Sequence, residues 1–277
     1  MLNMSKRNKI AGAIYGFAIG DAMGATTEFM SRVQIERNYG KVTDIVGGGW
    51  LNLKPGEVTD DTEMTMCVMT ALMNTLKRKD PLGFLFMKQL RKEFIEWYRS
   101  RPKDVGGQCQ RAIQEMIHLN RLGAKEDENA LGNGSLMRAM PCALLDKELL
   151  NSLQGRMTHN NSTCTRIIQS YSGVIQGYLN DKPIGIESKR LLEPSGHVKN
   201  TFNNSLYWSQ RKTFKEAILG AVNDGGDADT IAAITGSIAG AKFGYNAIPK
   251  KWVKQIDPDV EKALKIFKNF AFTYLQI

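Results

Sequence analysis

The chain has 277 residues, 42% of them hydrophobic, enough for one sizeable core in one domain or two. Its formal net charge of +9 is spread through KRNK, LKRKD, RSRPK and IPKK with no dense stripe and no nucleic-acid motif, so it reads as a solvated surface and nucleic acid is not an expected partner. No apolar run approaches the roughly 20 residues needed to span a bilayer, and Cys67, Cys109, Cys142 and Cys164 show no paired spacing, so a soluble cytoplasmic protein with core thiols is expected.

The first predicted element is the apolar segment AGAIYGFAIGDAMGATTEF. A basic start followed by an apolar run imitates a signal peptide, but Asp21 interrupts it. Gly12, Gly16, Gly20 and Gly24 stand four apart on one helix face, and the segment ends at Glu28. Each glycine inside a helix costs roughly 0.5–1 kcal/mol relative to alanine, so the ridge implies a tight helix contact that repays the loss. KVTDIVGGGW, residues 41–50, is the one plausible strand or extended loop and runs into a glycine-rich turn.

GEVTDDTEMTM, residues 56–66, sets Asp60 and Asp61 between Thr59 and Thr62 where a nearly all-apolar helix begins. Threonine and aspartate suit a helix N-terminus. One aspartate would meet that need, however, and two in a poorly solvated place repel unless a cation or donors compensate them. On this stretch alone capping and metal binding stand equal. A helical stripe follows over PLGFLFMKQLRKEFIEWYRS, then Asp104 in RPKDVGGQCQRA. Gly132, Asn133, Gly134 and Ser135 in GNGSLMR offer backbone N–H groups and a hydroxyl where an anion can sit, although such a run alone is most often a turn. His159 precedes a helix read over TRIIQSYSGVIQGYL, a position where a histidine is more often a cap or surface residue. Tyr207 and Trp208 suit either an aromatic platform or core packing.

The last predicted elements are a short helix over FKEAILGAV and the stretch NDGGDADTIAAITGSIAGAKFG, residues 223–244. There Asp224 precedes the paired glycines Gly225 and Gly226, Asp227, Asp229 and Thr230 follow them, and Gly236, Gly240 and Gly244 form a second ridge. If the two ridges meet, Glu28, the Thr59–Asp61 group and the Asp227–Thr230 group converge on one acidic site. Carboxylates and hydroxyls in a chain with only 3 histidines describe hard oxygen ligation of Mg²⁺ or Mn²⁺, not zinc. With β patterning nearly absent, the expected fold class is all-α: a single-domain orthogonal helical globule spanning 1–277.

GFAIGDAMGATTEF, TDDTEM, GNGSLMRAMP and GGDADTIAAITGSIAGAKFG resemble, in that order, the signature blocks of the ADP-ribosylglycohydrolase family, similar to the dinitrogenase-reductase-activating glycohydrolases. The resemblance runs from about residue 10 to IPKKW at 248–252 and implies a cleft with two Mg²⁺ (or Mn²⁺) ions that binds ADP-ribose. In its terms Thr59, Asp60, Asp61, Asp227, Asp229 and Thr230 hold the metals, and Glu28, Asp104 and Asp61 are catalytic, with the acid/base role open between Glu28 and Asp104. Asn133, Gly134, Ser135, His159 and Tyr207 bind substrate. Where the family commonly carries a threonine after its DxG position, this chain reads GQCQ. The implied reaction is removal of ADP-ribose from a modified protein side chain, most plausibly arginine, by a monomer. It is compatible with housekeeping reversal or with immunity to an ADP-ribosylating toxin. A metal-dependent phosphoesterase and a non-catalytic ADP-ribose-binding module are the alternatives.

Overall fold

The computed structural model describes residues 5–185 and 187–277. Among these, thirteen α-helices follow one another without a sheet; the β pairing consists of two isolated bridges, Gly48 with Leu53 and Gly132 with His197. In chain order the helices are α1 (Lys6–Gly24), α2 (Arg32–Tyr39), α3 (Asp60–Thr75), α4 (Phe84–Arg99) and α5 (Gly107–His118). Then come α6 (Met140–Leu144), α7 (Glu148–Arg156), α8 (Ser162–Leu179), α9 (Val198–Ser209) and α10 (Phe214–Val222). The last three are α11 (Ala228–Phe243), α12 (Lys250–Gln255) and α13 (Pro258–Tyr274). None is long and apolar enough to cross a membrane. The KVTDIVGGGW segment makes no strand: Gly47, Gly48 and Gly49 all take positive φ and curl the chain into a turn.

Two helices organise the rest. α1 and α11 are buried on nearly every face, which is why neither sequence alternates polar and apolar sides. They run antiparallel with backbones in contact. Gly12 meets Gly240, Gly16 meets Gly236, Gly20 meets Ala232 and Gly24 meets Ala228. A Cβ added at any of these four α1 glycines would overlap a carbonyl oxygen of α11, so the close approach exists only because the side chain is a hydrogen. The two ridges expected to meet do meet. Antiparallel packing brings the C-terminal end of α1 and the N-terminal end of α11 to the same edge of the molecule, and α3 arrives there with its own N-terminus. All four cysteines are buried free thiols.

Candidate active site

At the start of α3, the Thr59 side chain caps the helix by accepting from the Asp61 N–H at 3.3 Å. The cap is itself held by Asp21, fully buried on α1. Asp21 accepts from the backbone N–H of Thr59 at 3.1 Å and of Thr62 at 3.0 Å, and from both threonine hydroxyls. One carboxylate thus occupies the positive end of α3, where backbone N–H groups lack helical partners. Asp60 and Asp61 are turned away from it into a cleft. Asp60 accepts from the Gly106 N–H at 3.0 Å, and Asp61 accepts from the Thr230 hydroxyl at 3.2 Å.

The α11 side is set by the paired glycines. Gly225 and Gly226 both have positive φ, and a Cβ on either would strike a carbonyl oxygen, of Met30 or of Pro194. The turn they form is stapled to the end of the first signature segment: the Phe29 N–H donates to Gly226 at 2.6 Å and the Gly226 N–H to Met30 at 2.8 Å. Glu28 is thereby held beside Asp227 and Asp229. Asn133 donates its side-chain amide to Asp227 and, at 2.9 Å, to Thr201. Asp224 lies apart from this group, engaged by Arg32 and Trp208.

Carboxylate oxygens of Glu28, Asp227 and Asp229 lie within 4.8 Å of one another. Buried oxygen Oδ1 of Asp61 has no hydrogen-bond partner among the described residues. Burial, then neighbouring acids, pushes the carboxyls of Asp60, Asp61 and Asp229 well above the usual range. Burial likewise raises Asp104, and it takes Glu28 to about 8 although Trp50 donates to Glu28 at 2.6 Å. Like charges crowded without a counter-ion, together with an orphaned oxygen, fit a hard divalent cation.

A cleft of about 210 Å³ joins these groups: Glu28, Asp60, Asp61, Asp104, Asp227, Asp229 and Thr230 line it with Asn133, Gly134 and His159. On its far wall the His159 ring occupies the volume that side chains at 132 and 134 would fill. An added Cβ would lie 2.9 Å from Nε2 at Gly132 and 2.7 Å from Cε1 at Gly134. This is why glycines flank Asn133. The Asn133 N–H, expected to be free for an anion, instead donates to Gly196.

Three expected site residues are placed differently from the rest. Thr59 has its hydroxyl on Asp21 and lines a neighbouring cavity of about 510 Å³, which meets the cleft at Asp60 and Asp104. Ser135 is fully buried and off the cleft wall. Tyr207 does not reach the cleft; its ring packs edge-on against Trp208 and under Arg211, because its register on α9 turns it to that side. The aromatic side chain that does line the cleft is Phe29, paired with Trp50 at 5.5 Å between ring centroids. Asp21 was not foreseen, since a lone acid in an apolar helix shows its partners only when α3 is docked.

Comparison with known proteins gives a consistent result. The family model described as ADP-ribosylglycohydrolase matches residues 2–193 and 186–272. An ADP-ribosyl-[dinitrogen reductase] glycohydrolase from Rhodospirillum rubrum is 36% identical, covering 96% of this chain and 96% of its own length. An ADP-ribosylarginine hydrolase, Tri1, from Serratia proteamaculans is 31% identical over 90% of this chain and 75% of its own. A solved structure titled ADP-ribosylglycohydrolase-related protein complex superposes with a TM-score of 0.79 at 24% identity, covering 96% of this chain and 99% of that one, and so shares the fold.

Proposed function

The chain belongs to the ADP-ribosylglycohydrolase family and is an enzyme that hydrolyses ADP-ribosyl linkages, and from that premise we propose that its substrate is ADP-ribose joined through the anomeric carbon to an arginine guanidinium nitrogen of another protein. The observation that carries the reading is the cluster of Glu28, Asp227 and Asp229 facing the glycine loop across one cleft. The arginine linkage draws on the relative named for it, similar to this chain over 90% of its residues.

The donor set suits two Mg²⁺ or Mn²⁺ ions held by Asp60, Asp61, Asp227, Asp229 and Thr230, with Thr59 at the edge and Glu28 in the same cluster. Bound there, such ions supply Lewis acidity and orient ribose hydroxyls and water. Hydrolysis breaks the bond between the anomeric carbon and the side-chain nitrogen, adds the water oxygen to that carbon and leaves a water proton on the nitrogen. Asp104, half-buried where the cleft meets the larger cavity, carries that proton in this reading. Glu28, crowded among ligand carboxylates, serves the metals and accepts from Trp50. Asn133 fixes Asp227, and His159 with Gly134 faces the ribose and diphosphate oxygens. Phe29, on the cleft wall, supplies the aromatic contact with adenine. We read 1–277 as one catalytic domain acting in the cytoplasm.

Incubation with proteins labelled by ADP-ribose at arginine, serine or cysteine, with and without Mg²⁺, tests this. Metal-dependent release of ADP-ribose from the arginine substrate is expected. Release from another linkage overturns the arginine assignment, free phosphate from nucleotides without ADP-ribose release points to a phosphoesterase, and binding without release points to a binding module.

A further inference from the structure

Behind the wall formed by Gly132, Gly134 and His159, Arg138 is fully buried and forms no ion pair among the described residues. Its guanidinium lies over the Phe94 ring, 5.0 Å from the centroid, and donates to the carbonyls of Gly134 and Gln154 and, at 2.7 Å, to Oγ1 of Thr158. A guanidinium has donors only, so the Thr158 hydroxyl must accept there and send its own proton elsewhere. Nδ1 of His159 is 2.8 Å away; the other group in reach, Sγ of Cys109, is at 4.0 Å. Were Nδ1 protonated, the hydroxyl would accept twice and its proton would be left with that distant, weakly accepting sulfur. Nδ1 therefore accepts, and the proton of the neutral ring sits on Nε2. Burial, with the charges of Arg138 and Arg111, holds the imidazole pKa down at about 3, so the ring stays neutral. His159 lines the cleft, and its Nε2 makes no hydrogen bond to the described residues.

We propose that Arg138 and Thr158 are positioning residues that order the proton of His159, fixing it as an Nε2–H donor directed into the cleft toward a phosphate or hydroxyl oxygen of the ligand. The buried charge of Arg138, bonded to the Gly134 carbonyl, adds positive potential to the same wall, opposite the acidic cluster. That the oxygen belongs to ADP-ribose rests on the function proposed above; the tautomer does not.

The test is long-range ¹H–¹⁵N correlation on ¹⁵N-histidine-labelled protein at neutral pH, where the 3 histidines of the chain keep the spectrum readable. Wild type and Thr158→Ser should both show His159 with bare Nδ1 and protonated Nε2. Thr158→Val, which removes the hydroxyl, should show mixed tautomers and bind ADP-ribose about fivefold more weakly by calorimetry, the loss expected for one hydrogen bond. Protonated Nδ1 or imidazolium in wild type overturns the proposal, as does an unchanged tautomer in Thr158→Val. Should the valine variant not fold, the wild-type and serine spectra decide alone. Wild type that shows the expected tautomer but does not bind ADP-ribose refutes the substrate assignment and leaves the relay standing.

Discussion

The α1–α11 seam and the acidic cleft at its end are built from the same two helices and obey opposite rules. Along the seam there is no spare volume: glycine meets glycine or alanine, and backbone packs on backbone. In the cleft there is charge in excess, an orphaned carboxylate oxygen and open volume. The pairing teaches that a site storing like-charge repulsion needs a frame that cannot relax, since otherwise the carboxylates would move apart. The seam should therefore respond to size and ignore protons, and the cleft should do the reverse.

The largest effect is expected at the seam. Gly16→Leu or Gly236→Leu would drive a side chain into a facing carbonyl, and overpacking of this kind should lower stability by about 3 kcal/mol. Denaturant unfolding with an unchanged midpoint would break the comparison at its first term. Next in size, Asp61→Ala or Asp229→Ala should cut hydrolysis by on the order of 10²-fold or more, as loss of a metal ligand or an electrostatic stabiliser does. The helical circular dichroism should stay intact. A variant that unfolds instead would mean that the cleft is part of the frame.

A smaller effect sharpens the contrast through pH. Glu28 carries its carboxyl pKa up from 4.5 to about 8, and Asp21 and Asp227 rise from 3.8 to about 6, all through burial. A carboxyl with a raised folded-state pKa binds more protons folded than unfolded, so its contribution to stability is present at low pH and is lost as pH rises toward the folded value. Metal-free protein should accordingly lose thermal stability between about pH 4 and pH 8. Mn²⁺ should offset the loss, by about 2.7 kcal/mol at a hundredfold excess over its dissociation constant. A metal-free melting temperature that rises across that interval would contradict the assignment.

The smallest effect concerns Asp60. Asparagine still accepts from the Gly106 N–H and still suits a helix start, so Asp60→Asn should stabilise the metal-free form by about 1 kcal/mol or less while weakening Mn²⁺ binding in a calorimetric titration. Unaltered Mn²⁺ affinity would remove Asp60 from the proposed metal-holding group.

Much of this frame was legible because its signals are periodic. Glycines four apart on two segments announced the seam, and paired acids beside threonines announced the two helix starts that meet. The amphipathic stripe of α13, with Val260, Leu264, Phe267 and Ala271 behind the Asp257–Pro258 cap, is equally readable from its spacing. What resisted reading was partnership at a distance. Asp21 looks like a flaw in an apolar helix until Thr59 and Thr62 are folded onto it from 38 and 41 positions away. Arg138 looks like one more surface cation until it is seen buried beneath Gly134. Tyr207 packs on Trp208 while Phe29 lines the cleft, because spacing gives a face of a helix or a turn in a loop, but not which neighbour that face meets. Asn133 likewise turned out to spend its amide on Asp227 and its N–H on Gly196.

The seam also sets a timetable. α1 has almost no polar face, yet the helix that covers it is synthesised roughly 200 residues later. At about 5–20 residues per second the nascent chain carries that apolar surface uncovered for roughly 10–40 s. Until α11 emerges there is neither a mate for the glycines nor an Asp227 or Asp229 to complete the cleft. Fragments ending before residue 228 should aggregate or remain bound to chaperones, and acquisition of metal should coincide with the last stage of folding.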